Sequence, residues 1–471
     1  MKKRLLGVVV MMAVFIFMGM GAMAADNPAF AASASALIVD AQTVQYTAVL
    51  PSVPASADGM LYLYELRPYQ DTIPAGATPI GTAPVSQTPV FNFALNKDQG
   101  ANSRLYTKFA LAVNNGGKAD LIAYPQYVTN PEKVAPRNAH SARAVKTTQN
   151  QDMTNLLLNG RGAANGTAAA LNKTVQLLCN DPTSIIAHPF ARGAIKDAHP
   201  ISHQYYMFNA AEDAGIAALV SDLTYYASGS GEDFLVGNEM NERIWNYMAW
   251  VDWDTYTREY ANAFRVCYNA IKSTNGGANV YISLDQNWNR DRPTSHSEYY
   301  TFIDGKDFLD KFTVKILSEG NIDWGMGLHP YTVPLTNAAF WRQGGYEGSM
   351  VVQNRMVSFQ NMSIVTAYMT QPQFLNRAGG LRDIIINEIG LDARQGEDVQ
   401  AAAIAASWVA FKQNPMITQY MYLSNFGDGV DARLTPKALE VFNALGSPNE
   451  AAYLEWAKGI IGISDWSQVI H

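Results

Sequence analysis

Charge is scarce in this sequence. Only 16% of its 471 residues are Asp, Glu, Lys or Arg, and the net charge is −7. No basic surface of the kind a phosphate backbone requires can be built from that balance, which argues against nucleic acid and favours a neutral ligand. Cysteine is rarer still. Cys179 and Cys267 both sit in apolar surroundings ("VQLLCN", "FRVCYNA"), and two cysteines do not make a disulfide framework, so buried free thiols are expected. Nucleotide and serine-hydrolase signatures are missing: Gly160-Arg161-Gly162 lacks the third glycine of a G-x-G-x-x-G, and there is neither a P-loop nor a G-x-S-x-G. Long apolar runs are confined to the N-terminus. There Lys2, Lys3 and Arg4 precede "LLGVVVMMAVFIFMGMG" and Ala22-Met23-Ala24, the pattern of an export signal over residues 1–24. No later segment is long and apolar enough to span a bilayer, so a chain working outside the cytoplasm, without stable membrane insertion once the signal is removed, is expected.

What is present in quantity is apolar and aromatic. Hydrophobic residues make up 48% of the chain and aromatics 11%, with 24 Tyr and 9 Trp, enough for a sizeable core. Residues 35–130 carry short runs rich in Tyr, Phe, Val and Leu ("GMLYLYELRPY", "PVFNFALNK", "LYTKFALAVNN"). Pro, Gly, Asn and Asp separate them at the spacing of a β-sandwich-like domain. Residues 131–151 are polar and read as a linker.

From 152 to 471 the pattern changes to apolar strands alternating with helical stretches. "DFLVGNE" precedes "YTREYANAFRVCYNAIKST", "NVYISLDQNW" precedes "KDFLDKFTVKIL", and "RDIIINEIG" precedes "DVQAAAIAASWVAFKQ". Five such units favour a (β/α)8 TIM barrel with parallel strands over an open sheet. Only residues 152–232 precede the unit ending in Glu239, with strands expected at "MTNLLLN", "TVQLLCN" and "YYMF". The first barrel units must therefore be short or irregular.

Active sites of such barrels lie at the C-terminal strand ends. Here those ends carry Asn238-Glu239, Asp285 with Trp288, His329 with Tyr331, Asn387-Glu388, and Asn425. Glu239 and Glu388 across a barrel mouth suit glycosidic cleavage, in which one carboxyl protonates the leaving oxygen and the other attacks or stabilises the anomeric carbon. Each piece has a plainer reading: Glu239 as the start of a loop, Asp285-Gln286-Asn287 as a polar turn, the tryptophans as core. Asp428 and Asp431 hint at a cation loop and read equally as a turn. The recurrence of polar residues at one place in successive units favours the site.

At these residues the chain resembles clan A glycoside hydrolases. The resemblance implies that Glu239, after Asn238 on strand four, is the acid/base and Glu388 on strand seven the nucleophile. It also implies that Asn238 meets the sugar 2-hydroxyl and that His329 or Tyr331 supports the nucleophile. A closer resemblance is to a bacterial family classed as a domain of unknown function, carried by "VGNEMNE", "YANAFRVCYNAIKSTN", "VYISLDQNW", "WGMGLHPYTVPL" and "IIINEIG". Three features depart from the clan pattern. Asn387 and Ile389 flank the second Glu where Ser and Gln are expected. Tyr422 and Asn425 stand where strand eight often carries Trp, and Arg161 is a weak counterpart to a strand-two arginine.

The expected function is a secreted glycoside hydrolase cleaving a β-linked oligosaccharide or polysaccharide with retention, needing no metal or organic cofactor. Retention requires carboxyl groups about 5–5.5 Å apart, and inversion about 6.5–9.5 Å. Substrate contacts are expected from Asn238, Asp285, Trp288, His329, Tyr331 and Asn425. Flat rings stack on sugars, so Trp288 is the leading platform, with at least one of Trp245, Trp250 and Trp253 also in the cleft. The alternatives are a non-catalytic carbohydrate-binding protein on a degenerate barrel and a lyase on the same fold.

Overall fold

The structure is a computed structural model. It describes residues 32–135, 143–160, 168–193, 205–249, 251–292, 301–342, 345–427 and 429–471. Residues 1–24, Arg161, Trp250 and Asp428 fall outside these spans.

The N-terminal region forms two antiparallel sheets. Strands β1 (Ser33–Ile38), β2 (Thr43–Val49) and β5 (Val90–Ala94) make one. Strands β3 (Met60–Leu66), β4 (Gly81–Pro84), β6 (Lys108–Asn115) and β7 (Lys118–Leu121) make the other, in the order β4-β3-β6-β7, with β8 (Gln126–Tyr127) also paired to β6. Alternation sets the faces: β2 buries Val44, Tyr46 and Ala48 and turns its other residues outward. Buried polar contacts tie this region to the C-terminal part of the chain. Lys108 is fully buried and pairs with Glu319 at 3.1 Å, and Asn269 donates to the Leu105 carbonyl at 2.6 Å.

The rest is a nearly closed barrel of eight parallel strands. In chain order they are β9 (Lys146–Thr148), β10 (Met153–Leu157), β11 (Thr174–Leu178), β12 (Asp233–Val236), β13 (Asn279–Leu284), β14 (Trp324–Leu328), β15 (Ile384–Ile386) and β16 (Ile417–Tyr422). Lateral pairing runs from β10 through β16 and ends with β16 on β9. Strands β11 to β15 are buried along nearly their whole length, as parallel strands covered on both faces must be.

The expected short first units are real. Between β9 and β10 stands one helical turn, Gln149–Asp152. Four residues cannot carry a chain back along a strand, since a parallel crossover needs about a dozen. The first two strands therefore succeed one another along the barrel wall, and the lateral ladder is open there. Strand β9 lies inside the stretch read from sequence as a linker; three residues of Lys-Thr-Thr carry no apolar signal. The strand expected at "YYMF" is not one: Tyr206 and Phe208 make only isolated bridges, to Tyr247 and Ala187.

The later crossover helices obey their sequence signals. The helix Trp253–Thr274 starts where Asp252 accepts from the Thr255 amide at 2.7 Å. It buries Tyr256, Tyr260, Phe264, Cys267 and Ile271, three to four residues apart. Helix Glu397–Gln413 packs an alanine-rich face, Ala401 to Ala406, against the barrel. Cys179 and Cys267 are free and buried. No helix of the described residues is long and apolar enough to cross a membrane.

Candidate active site

Each barrel strand from β12 to β15 ends one residue before a polar group or a glycine leading into one. Strand β12 ends at Val236, and Gly237 then turns the chain with φ +86°; a Cβ there would lie 2.3 Å from Met240 Sδ. Glu239 itself sits at φ +45°, the left-handed region that non-glycine residues rarely occupy. Its carboxyl is thereby turned into the barrel mouth, where it lines a cavity of about 360 Å³ with Glu388, Asn238, Asp285, Tyr331 and Asn425. Five strand ends named from sequence thus converge on one space.

Glu239 and Glu388 are held by different partners. His329, fully buried one residue past β14, places Nδ1 2.7 Å from Glu239 Oε1. Its Nε2 faces Asn387 Nδ2 at 2.8 Å and Ser283 Oγ at 3.3 Å. In the neutral ring, with Asn387 Nδ2 donating, Nε2 accepts and Nδ1 carries the proton toward Glu239. Glu388 instead accepts from the Tyr331 hydroxyl at 2.9 Å and from Gln149 Nε2 at 3.3 Å. The sequence left open whether His329 or Tyr331 serves Glu388. Tyr331 does, and His329 serves Glu239. A carboxylate oxygen of each Glu and a ring nitrogen of His329 lie within 4.8 Å of one another. Among the described residues these three are also the side chains that could share a metal ion, although His329 Nδ1 is already turned to Glu239 as a hydrogen-bond partner.

The environment separates the two groups further. Burial raises the Glu239 pKa, the hydrogen bond and charge of His329 pull it down, and the balance stands at about 7. For His329, burial favours the neutral ring, but the charge of Glu388 and the bond to Glu239 outweigh it and the pKa is raised. A proton is therefore held between His329 and Glu239 near neutrality.

Asn238 is fixed from below: Gln176, on β11, donates to its Oδ1 at 2.7 Å. Asp285 is buried and accepts from Asn241 Nδ2 at 2.5 Å and from the Asn287 amide at 2.8 Å. Gln149, Gln176, Glu242 and Tyr205 also line the cavity and were not anticipated. Gln176 was legible as the polar residue inside the apolar run "VQLL". Gln149 was hidden because the strand before it lay in the polar linker.

The aromatic expectation is corrected in part. Trp288 is 3% exposed and packs edge-on against Tyr368, with centroids 5.4 Å apart. It is core, because the Asp285–Asn287 hydrogen bonds turn the chain inward before it. Trp253 lies beneath the Arg243 guanidinium at 4.7 Å and does not line the cavity. Trp245 does line it, its ring 6.0 Å from that of Tyr205 and tilted by 35°. Tyr422 is buried, its hydroxyl near the Leu391 and Ala432 carbonyls, so of the strand-eight pair only Asn425 reaches the cavity. Asp431 is bound by Arg433 through two contacts of 2.7 Å, as in an ordinary turn. Replacing Trp288 by Ala is accordingly expected to cost about 3–5 kcal/mol of stability in denaturant titrations; a cost below about 1 kcal/mol would contradict the core assignment.

Among the solved structures similar to this chain are glycoside hydrolases. A GH128 endo-β-1,3-glucanase from Sorangium cellulosum is 16% identical, over 45% of this chain and 70% of that one, with a TM-score of 0.28. A family 39 glycoside hydrolase from Bacteroides cellulosilyticus is 13% identical, over 92% and 82%, with a TM-score of 0.35. A β-galactosidase described as putative, from Bacteroides fragilis, is 14% identical, over 87% and 57%, with a TM-score of 0.28. No curated protein sequence matches the chain. A family model matches residues 170–469, most of the barrel and both glutamates, and the chain belongs to that family, the family of unknown function DUF5722.

Proposed function

We propose that this protein is a retaining glycoside hydrolase of β-linked glycans, exported by its 1–24 leader, with Glu239 as acid/base and Glu388 as nucleophile. The observation that carries the reading is the pair itself. Two carboxyl groups at facing strand ends bring one oxygen each within 4.8 Å of the other, so both can reach one glycosidic bond, as the closely spaced pair of a retaining enzyme must. Their surroundings divide the roles. Glu239, with a pKa of about 7, can hold a proton for the leaving oxygen, while Glu388 is held in place by hydrogen bonds from Tyr331 and Gln149.

In the first step a Glu388 oxygen attacks the anomeric carbon as the glycosidic C–O bond breaks, and Glu239 gives its proton to the departing oxygen. In the second, Glu239 takes a proton from water, the water oxygen attacks the anomeric carbon, and Glu388 leaves as a carboxylate. Two inversions give net retention. Asn238, braced by Gln176, faces the position of the sugar 2-hydroxyl, and Trp245 with Tyr205 offers an apolar wall for a neighbouring ring.

The test is a panel of aryl β-glycosides and polysaccharides, with the anomer of the first product read by NMR; retained product from any of them supports the reading, and inverted product overturns it. A pH profile adds an independent check. Glu239 must be protonated for the first step, so the rate should fall as pH rises through about 7. The same shift acts on stability. A proton held more tightly in the folded chain than at the ordinary value of 4.5 stabilises fully below that value, and the effect is lost as pH rises through about 7. Glu239→Gln should therefore gain stability relative to the parent above pH 7, by about 3 kcal/mol at most, and lose that advantage at pH 4. Equal melting shifts at both pH values would contradict a buried, proton-holding Glu239.

A further inference from the structure

Gln149 is where the shortened first barrel unit meets the nucleophile. Strand β9 pairs its last residue, Thr148, with Tyr422 of β16, and Gln149 then opens the single turn Gln149–Asp152. A full crossover helix would carry the chain away from the mouth at this point. The single turn keeps it there, and Gln149 is buried in the cavity wall, its side chain reaching past the end of β16 toward the end of β15. The chain beyond those two strands is tied together by the Leu423 amide, which donates to the Ile389 carbonyl at 2.7 Å.

One nitrogen of Gln149 makes two contacts there. Nε2 donates to the Asn387 carbonyl at 2.8 Å and to Glu388 Oε2 at 3.3 Å. An amide nitrogen carries two hydrogens, so both bonds form at once. The shorter bond, to the main chain, anchors the amide; the other aims its second hydrogen at the carboxylate. Tyr331, just past β14, holds the remaining oxygen, Oε1, at 2.9 Å. Donors on both oxygens, one from each side of β15, keep the carboxyl group from turning about its own axis.

We propose that Gln149 is a positioning residue for the covalent steps, fixing the plane of the Glu388 carboxylate before it attacks and receiving it again when it leaves. The inference rests on the glycoside hydrolase reading of the same site. In the first step the effect is orientation, because a carboxylate free to rotate must lose that freedom on the way to the transition state. In the second step the bond from the anomeric carbon to Glu388 breaks and its electron pair returns to the carboxylate. A donor already in place at Oε2 stabilises that charge as it develops. Gln149 itself gives no proton and forms no bond to the sugar. The plainer role is structural, with the bond to the Asn387 carbonyl closing the wall and nothing more.

The test uses the full-length chain carrying Gln149→Met, which keeps the length of the side chain and loses the donor. The reagent is whichever 2-deoxy-2-fluoro-β-glycosyl fluoride, of gluco, galacto or xylo configuration, labels the parent. Inactivation at a series of concentrations separates the reagent's binding constant from the rate constant of the first step. Return of activity after excess reagent is removed gives the second. The binding constant is expected to stay at the parental value, and both rate constants to fall by roughly 10–100-fold. Gln149→Asn keeps the amide but withdraws it by one methylene, so it should show the same loss, and it decides the matter if the Met variant does not fold. A folded variant with a lower melting temperature and parental rate constants would overturn the proposal, since that is the signature of the structural role. So would weaker binding with unchanged rates, which would make Gln149 a sugar contact instead. A parent that hydrolyses aryl β-glycosides yet takes no label would remove the retaining reading and this inference with it, an outcome distinct from a labelled parent and an unaffected variant.

Discussion

Glu388→Ala is expected to abolish hydrolysis, with a loss on the order of 10⁴–10⁶-fold in kcat on any substrate the parent cleaves, the scale seen when a covalent nucleophile is removed. The expectation comes from position. Glu388 stands two residues past Ile386, the last residue of β15, so its backbone is fixed by the barrel wall, and Tyr331 and Gln149 orient its two oxygens. The other carboxyl groups of the described cavity lining are engaged elsewhere: Glu239 faces His329, Asp285 is enclosed by three donors, and Glu242 accepts from Asn287. Removing the carboxylate opens space on the face from which it would attack. Azide entering there should displace the leaving group directly and give the α-glycosyl azide from a β-glycoside. A variant retaining more than a tenth of parental kcat would remove Glu388 from the mechanism.

Glu239→Ala is expected to lose as much on substrates with poor leaving groups and far less on activated aryl glycosides, whose departing oxygen needs little protonation. On the activated substrate the first step survives and the glycosyl-enzyme accumulates, because no base remains to deprotonate water. Steady-state kinetics should show a burst followed by slow turnover. Azide needs no base, so it should restore turnover and yield the β-glycosyl azide. The two variants therefore separate by product stereochemistry, which a folding defect does not mimic. The opposite pairing of anomers would exchange the roles assigned to Glu239 and Glu388.

The site was legible where a short apolar run ended on a polar group. "DFLV", "NVYISL", "WGMGL" and "III" are buried strands, and the residues after them reach the mouth because a parallel strand in a barrel points its C-terminal end there. Three things were not legible, each for a physical reason. Strand β9 is three polar or half-buried residues whose position is set by pairing with β16, a contact more than 270 residues away in sequence. Trp288 has the spacing of a cleft residue, but its direction depends on the hydrogen bonds of Asp285 and Asn287, which no periodicity encodes. The partner of His329 depends on the left-handed turn at Glu239, which brings that carboxyl to Nδ1 and leaves Glu388 to Tyr331. The sequence carries residue types and strand ends; the side-chain directions come from the turns.

The central claim is that Glu388 forms a covalent bond to the sugar. It is tested most directly by incubating the protein with 2-deoxy-2-fluoro-β-glycosyl fluorides of gluco, galacto and xylo configuration, then measuring intact mass and mapping the labelled peptide. The fluorine slows both steps and the fluoride leaving group rescues the first, so a retaining enzyme becomes trapped. The account predicts a mass gain of one fluoroglycosyl unit with at least one reagent, located on Glu388 and absent from Glu388→Gln. A label on any other residue, or no label from reagents whose parent aryl β-glycosides the protein hydrolyses, would contradict it.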